Sequence, residues 1–265
     1  MILYYWMDDS LSQIRDVGVL SSTLSSKGPL IDESYSILQA YREGVNIRDF
    51  RDEVVHGQIL PHPSYHTRRT IWNHVYKRYF KHGNEWVIRR LKESTYEGKD
   101  SIEFLSLAYL YYVLRDRFTF MFITERLWSI WDSKTISIES NDVREYLEEI
   151  SENFIEVTHW SESTKRNLSQ NTIWSLTSFG LLRGKRRKTI QQPSISDEAV
   201  FHLLCVLLDE GNRGKQIIDA PDWRMFLFSE SNVSYALSRL SMLGWIGFEK
   251  SGSTVMIDLI REHGV

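Results

Sequence analysis

The feature that most constrains this fold is an internal repeat with a spacing of 64 residues. Its two copies are, in order, Ile173, Leu176, Phe179, Gly180, Leu181, Leu182 and Leu237, Leu240, Leu243, Gly244, Trp245, Ile246. Apolar residues spaced three and four apart predict one buried face of a helix, and a glycine directly after them predicts the end of that helix. We therefore expect two units in which a helix leads through glycine into a strand.

A turn follows the strand in each unit. In the first, the strand leads into the basic run Arg183–Lys188. In the second, the turn Lys250–Ser253 separates two alternating apolar segments, which is typical of a β-hairpin. Ser196 and Ser229 are predicted to cap the helices of the second unit. Helices followed by a hairpin predict winged-helix-like modules in the C-terminal half.

Apolar spacing of three and four dominates the rest of the chain, which predicts a mainly α fold with a helical N-terminal and central bundle. Asn46 and Ser64 precede two of the predicted helices, and a single long, buried helix is expected over residues 104–131. We divide the chain into an N-terminal helical unit with a basic helix (1–95), a central helical spine with the first winged module (96–192), and a second winged module (193–265).

Positive charge is concentrated locally although the formal net charge is −3. Seven basic residues and no acidic one lie between Lys165 and Lys188. Arginine and glutamine can bond base edges, whereas clustered cations suit the phosphate backbone. Candidate nucleic-acid-binding residues here are Lys165, Arg166, Gln170, Arg183, Lys185, Arg186, Arg187 and Lys188. The alternative is a solvated basic loop. The second unit is barely basic, so packing or a protein contact is an equal alternative for it.

A second basic tract runs from Arg68 to Lys92, where eight basic residues accompany Glu85 as the only acidic one. The candidate contacts in this tract are Arg68, Arg69, Lys77, Arg78 and Lys81. The interleaved aromatic residues follow helical periodicity, which favours packing in the core over base stacking.

Motifs of enzymes and of metal sites are lacking in the sequence. It contains no phosphate-binding glycine loop, metalloprotease helix, nucleophile elbow or kinase set, so we expect no catalytic activity, cofactor or metal. The single cysteine, Cys205, lies in an apolar helix and is expected to be buried, which fits a reducing cytosol. The longest apolar stretch is too short for a membrane span, so we expect a soluble, cytoplasmic protein.

Several segments resemble the BrxA family, over residues 20–259. They are Ser26–Glu33, Leu114–Phe118, Phe122–Glu125, Trp160–Thr164 and Phe179–Leu182. The resemblance implies a small non-catalytic component of BREX, a bacteriophage-exclusion system, with the other BREX subunits as partners. That family has been likened to the RNA-binding factor NusB and has also been regarded as an inner-membrane protein.

We expect a protein that binds double-stranded DNA and does not insert into membranes, because the helix, glycine and hairpin repeat favours DNA over RNA. Two alternatives stay open at this point. One is a NusB-like RNA-binding factor, and the other is a protein–protein scaffold whose basic tracts dock on acidic subunits.

Overall fold

The computed structural model describes residues 11–134 and 137–261, and the chain there is mainly helical with small antiparallel hairpins in its C-terminal half, as predicted. The helices of the N-terminal part are α1 (Ile31–Ala40), α2 (Ile47–His56), α3 (Tyr65–Val75), which continues into a π-helical turn (Tyr76–Phe80), and α4 (Glu85–Ser94). None of the helices in the described ranges is both long enough and apolar enough to cross a lipid bilayer.

Side-chain caps explain where α2 and α3 begin. The Asn46 side chain accepts a hydrogen bond from the Arg48 amide at 2.9 Å, and the Ser64 hydroxyl accepts one from the Thr67 amide at 3.5 Å. Such bonds satisfy amides that have no partner within the first turn of a helix. The predicted cap at Ser64 is confirmed, and α3 follows it directly; the cap at Asn46 was not predicted, although a helix was expected after that residue.

The predicted long helix over residues 104–131 is wrong in its continuity. It consists of α5 (Ile102–Arg115), α6 (Arg117–Met121), a π-helical turn (Phe122–Leu127) and α7 (Trp128–Asp132). The break is at Asp116, whose φ of −112° and ψ of 90° are extended. Its buried carboxylate accepts hydrogen bonds from Ser25 and Thr119. These bonds hold the residue outside helical geometry, while α5 is buried on nearly all sides as expected.

The first repeat unit begins with a strand that the sequence did not predict. Its elements are β1 (Ser137–Ile138), α8 (Ser140–Ile150), α9 (Ile155–Thr158), α10 (Glu162–Ser178), β2 (Leu182–Arg183) and β3 (Lys188–Ile190). The strands form an antiparallel sheet in the order β1-β3-β2, with Ser137 opposite Thr189 and Leu182 opposite Ile190. Helix α10 packs against α8, and its apolar side faces the core.

The second unit repeats the helix and the hairpin. It comprises α11 (Asp197–Asp209), α12 (Lys215–Asp219), a 3₁₀ segment (Pro221–Phe226), α13 (Glu230–Met242), β4 (Ile246–Ser251) and β5 (Thr254–Leu259). Strands β4 and β5 pair in register from Ile246 opposite Leu259 to Ser251 opposite Thr254. Ser196 and Ser229 cap α11 and α13, as predicted.

The helix ends confirm the 64-residue repeat in atomic detail. Gly180 and Gly244 adopt left-handed φ angles of 84° and 73°. In each copy the amide of the next residue bonds back to the helix, Leu181 to the Leu176 carbonyl at 2.9 Å and Trp245 to the Leu240 carbonyl at 3.0 Å. Glycine tolerates this geometry because it lacks a Cβ. Helix α10 has 17 residues and α13 has 13, so the helix of the first unit is longer by about one turn.

Buried apolar residues of most of these elements form one continuous cluster, from Leu11 to Ile246, and partly buried side chains of α7 and β5 pack against it. Cys205 is part of it, as predicted. The division into units 1–95, 96–192 and 193–265 stays a prediction.

Candidate nucleic-acid interface

The turn between β2 and β3 carries the densest exposed positive charge predicted from the sequence. Arg183, Lys185, Arg186 and Arg187 are all exposed, and none of them forms an ion pair with a described residue. Gly184 shapes the turn, since its φ is 100° and an added Cβ would collide with the Arg187 carbonyl oxygen. The local backbone therefore holds these side chains outward from a short, tight loop.

Helix α10 presents a polar face beside this turn. Arg166 and Gln170 are exposed and lie four residues apart, so they share one side of the helix. Arg166 forms no ion pair with a described residue. Lys165 is less available, because its side chain is 20% exposed and its Nζ lies 3.8 Å from a Glu162 carboxylate oxygen.

A second exposed stripe follows α3 and its π-helical turn. Arg69, Asn73, Lys77 and Lys81 are all exposed, at spacings of four residues. The three cations form no ion pairs with described residues. This α3 stripe is the continuous basic face that the sequence predicted for this helix.

Three predicted contact residues serve the fold instead. Arg78 is fully buried, so its assignment as a nucleic-acid contact is wrong; its guanidinium donates to the carbonyls of Leu24, Gly28 and Pro29 at 2.6–2.7 Å. Arg68 is half-buried and donates to the Val55 carbonyl of α2 at 2.6 Å and to the His62 carbonyl of the loop before α3 at 2.7 Å. Lys188 donates to the Gly184 carbonyl at 2.8 Å and braces the turn. Helical periodicity indicates the face of a residue but not the loop that folds over it.

Helix α10 and the helical stretch that carries the α3 stripe both contact the same short segment, residues 24–29. Asn171 of α10 donates to the Ser26 carbonyl at 2.7 Å, and the Trp174 ring covers Gly28 so closely that a Cβ there would collide with it. Arg78 binds the same segment from the other side. Tertiary contacts therefore join two basic regions that are about 90 residues apart in the sequence.

Two residues of this junction were missed by sequence reasoning. Trp174 is 54% exposed although it is the largest kind of side chain, and it lies one turn after Gln170 on the polar face. The signal was its position outside the apolar stripe of α10. Lys27 lines a cavity with His66 and His74 beside α3.

The pKa of His74 reports the positive potential in this region. Burial, and next the charges of Arg78, Lys77 and Lys27, lower it from 6.5 to about 4. Two of those cations, Lys77 and Lys27, stand beside the junction at the surface. An anionic ligand there would meet a neutral imidazole and unpaired ammonium groups.

The second unit has the same backbone plan and a different surface. The position of Arg166 is taken by Glu230 at the repeat spacing, and Glu230 pairs with Lys250 of the second hairpin at 2.9 Å. Arg239 pairs with Asp197 at 2.6 Å. The free cations of the first unit thus have neutralised or absent counterparts in the second.

A protein-family model matches most of the chain. The model of the BrxA family matches residues 20–204, which is more than half of the chain. The chain belongs to the BrxA family. The match includes the basic helix–hairpin unit and both basic faces. The resemblance seen in the sequence extended over residues 20–259, and the family model matches it as far as residue 204. BrxA membership supports an association with a BREX phage-exclusion system. A comparison with curated proteins found no match.

Proposed function

We propose that this BrxA protein is a DNA-binding accessory component of a BREX system and grips duplex DNA mainly through phosphate contacts. The observation that carries the proposal is the β2–β3 turn, where Arg183, Lys185, Arg186 and Arg187 are exposed without ion pairs to described residues. Placing such cations on a phosphate backbone releases its condensed counterions, which is the main source of sequence-independent affinity.

We assign the first unit as a winged helix. The order α7, β1, α8, α10, β2, β3 and the sheet order β1-β3-β2 support this assignment. Helix α10 would then enter the major groove with Arg166 and Gln170, whose side chains can bond base edges, while the β2–β3 turn holds the adjacent backbone. Helix α10 exposes only Arg166, Asn167 and Gln170 as such side chains among its described residues, so sequence preference is low.

The α3 stripe supplies a second set of phosphate contacts in this proposal. Arg69 and Lys77 lie eight residues apart and Lys77 and Lys81 four apart, and helix positions at multiples of four can follow an anionic strand. Residues 24–29 connect this stripe to α10, and Trp174 stands at the connection. A single duplex that contacts both faces would be bound on each side of residues 24–29, by α10 and by the α3 stripe.

The contribution of the chain to phage exclusion is binding rather than catalysis, and it takes place in the cytoplasm together with other BREX subunits. The second helix–hairpin unit, whose cations are paired, is left for packing or for contact with those subunits. This division of labour is supported by the different surfaces of two units that share one backbone plan.

A salt series on duplex binding tests the proposal. Fluorescence anisotropy with a labelled duplex at about 50 to 200 mM salt gives a log–log slope of about −0.9 for each phosphate neutralised. Replacing Lys185, Arg186 and Arg187 with alanine removes three exposed cations and keeps the Lys188 bond to Gly184. We expect weaker binding and a slope flatter by about 2 to 3.

The second hairpin provides a matched control, because Lys250→Ala changes a cation that is already paired with Glu230. That variant should bind DNA as the parent does. Unchanged affinity and slope in the triple variant would contradict the proposal. Stronger binding of hairpin RNA than of duplex DNA at equal salt would favour the NusB-like alternative.

A further inference from the structure

A small cavity lies beside the α3 stripe, at the junction between α5 and α6. It measures about 110 Å³ and is lined by four cationic side chains, Lys77, Lys81, Arg115 and Arg117, and by two hydroxyl side chains, Ser21 and Thr23. These residues come from three separate parts of the sequence. Two of them, Arg115 and Arg117, lie on either side of the break at Asp116 between α5 and α6.

Arg115 is the most deeply placed of these cations, at 7% exposed. Its Nε donates to the Lys77 carbonyl at 3.3 Å, and its Nη1 donates to the carbonyls of Gln13 and Ile14 at 3.1 and 3.0 Å. The remaining nitrogen, Nη2, donates to no residue in the described ranges. A buried guanidinium is thus anchored through Nε and Nη1, and Nη2 has no acceptor among the described residues.

Two carboxylates line the cavity, and neither forms an ion pair with the four cations. Asp16 accepts a hydrogen bond from the Gly18 amide at 2.9 Å. Asp116 is bonded to Ser25 and Thr119, and burial raises the pKa of its carboxyl. The described lining of the cavity therefore holds more cations than carboxylates, and an anion that enters it would offset this excess.

The hydroxyl groups suit a tetrahedral oxyanion. Ser21 donates to the Thr23 hydroxyl at 2.8 Å, which leaves the hydrogen of the Thr23 hydroxyl to point elsewhere. Lys77 and Lys81 are exposed at the rim, where their flexible chains can reach an anion in the cavity. Charge-assisted hydrogen bonds from such donors to phosphate oxygens are roughly twice as strong as hydrogen bonds between neutral groups.

We propose that this cavity is a binding site for one phosphate group of a nucleic-acid strand. Lys77 and Lys81 neutralise the phosphate, while Arg115 and Thr23 bond its oxygens. The site deepens the proposed function and rests on it for the source of the phosphate, which is either a terminal monoester or an internal diester. In both cases the cavity fixes the register of a strand that crosses the α3 stripe.

Calorimetric titration with inorganic phosphate, at constant ionic strength, tests the site without DNA. We expect saturable binding that weakens about tenfold or more in the double variant Lys77→Gln/Lys81→Gln, since two charge-assisted bonds to the phosphate are lost. Thr23→Val should weaken it with no change of charge. Arg48→Gln, which alters an exposed cation away from the cavity, should leave it unchanged. Absent saturation, or equal affinity in parent and double variant, would overturn the site.

Duplexes with and without a 5′-phosphate then identify the source. A preference for the phosphorylated end that disappears in the double variant assigns a monoester; equal binding of the two duplexes that drops in Thr23→Val, which leaves the cations of the α3 stripe in place, assigns a diester. Phosphate binding without any duplex binding would leave the site standing and overturn the proposed function. Duplex binding without phosphate binding would do the reverse.

Discussion

The hydroxyl of Tyr111 lies 2.5 Å from Nδ1 of His202, and this bond joins α5 to α11 inside the core. On its other side, Nε2 of His202 lies 3.3 Å from a Glu198 carboxylate oxygen. A carboxylate only accepts, so Nε2 donates to Glu198 and Nδ1 accepts from Tyr111. Burial lowers the pKa of His202, which keeps the ring neutral and this arrangement intact. The network connects the central helix to the second helix–hairpin unit.

Tyr111→Phe should destabilise the protein by about 1–3 kcal/mol, because it leaves the buried Nδ1 of His202 without a donor. Urea denaturation measures the loss. Tyr235→Phe is the matched control, since Tyr235 is 65% exposed and its change should stay within about 0.5 kcal/mol. Equal stability of the two variants would show that the bond does not contribute.

Substitution of Arg78 should lower stability and substitution of Arg69 should lower duplex binding, although both residues lie on the same helical stretch. Arg78→Gln removes a buried guanidinium that binds three carbonyls and lies 4.4 Å from the Tyr112 ring, so unfolding should become easier by about 3 kcal/mol. Arg69→Gln changes an exposed cation and should leave stability unchanged while duplex binding weakens. Denaturation and anisotropy on both variants separate the roles, and an Arg78→Gln variant of parental stability would refute the structural one.

Stability should fall as the pH drops from about 6.5 to about 4. Burial, and next a nearby arginine, lower the pKa of His74 and His82 from 6.5 to about 4. The unfolded chain takes up these protons below its own pKa while the folded chain does not, so the stabilisation is complete above 6.5 and declines toward 4. Each histidine contributes on the order of 3 kcal/mol at most.

Denaturation at several pH values, with His74→Gln, checks this assignment. The variant should show a shallower decline between those limits, whereas His66→Gln, at an exposed position, should keep the parental profile. A flat profile in the parent would mean that neither imidazole is held neutral by the fold.

Gly184→Ala should weaken duplex binding more than Gly252→Ala does. Both glycines sit in hairpin turns with left-handed φ, and each substitution costs about 1 kcal/mol of strain. At Gly184 the new Cβ also meets the Arg187 carbonyl and must shift the basic turn, whereas at Gly252 it meets open space. Anisotropy at fixed salt compares the two, and equal binding would argue against a role for the shape of the β2–β3 turn.

Local signals were enough for much of the fold. Ser64, Ser196 and Ser229 were identified as helix caps because a polar side chain beside an apolar stripe satisfies amides within a few residues. The break at Asp116 escaped because its cause is remote: the carboxylate is bonded to Ser25, which lies 91 residues away.

The same distinction between local and distant causes applies to the candidate site. The exposed cations of the β2–β3 turn were predicted correctly as a cluster, since neighbours in a short turn stay together in any fold. Arg78 was misplaced and Trp174 was missed, because their surroundings come from residues 24–29, a segment distant from both in the sequence.

By itself, the sequence determined the repeated helix–glycine–hairpin plan and the local concentration of positive charge, because both depend on contacts within a few residues. Only the tertiary structure decided which cations reach the surface, which two basic faces share a border, and that four cations surround one cavity. Those outcomes depend on how distant segments pack, and helical periodicity carries no information about what covers a given face.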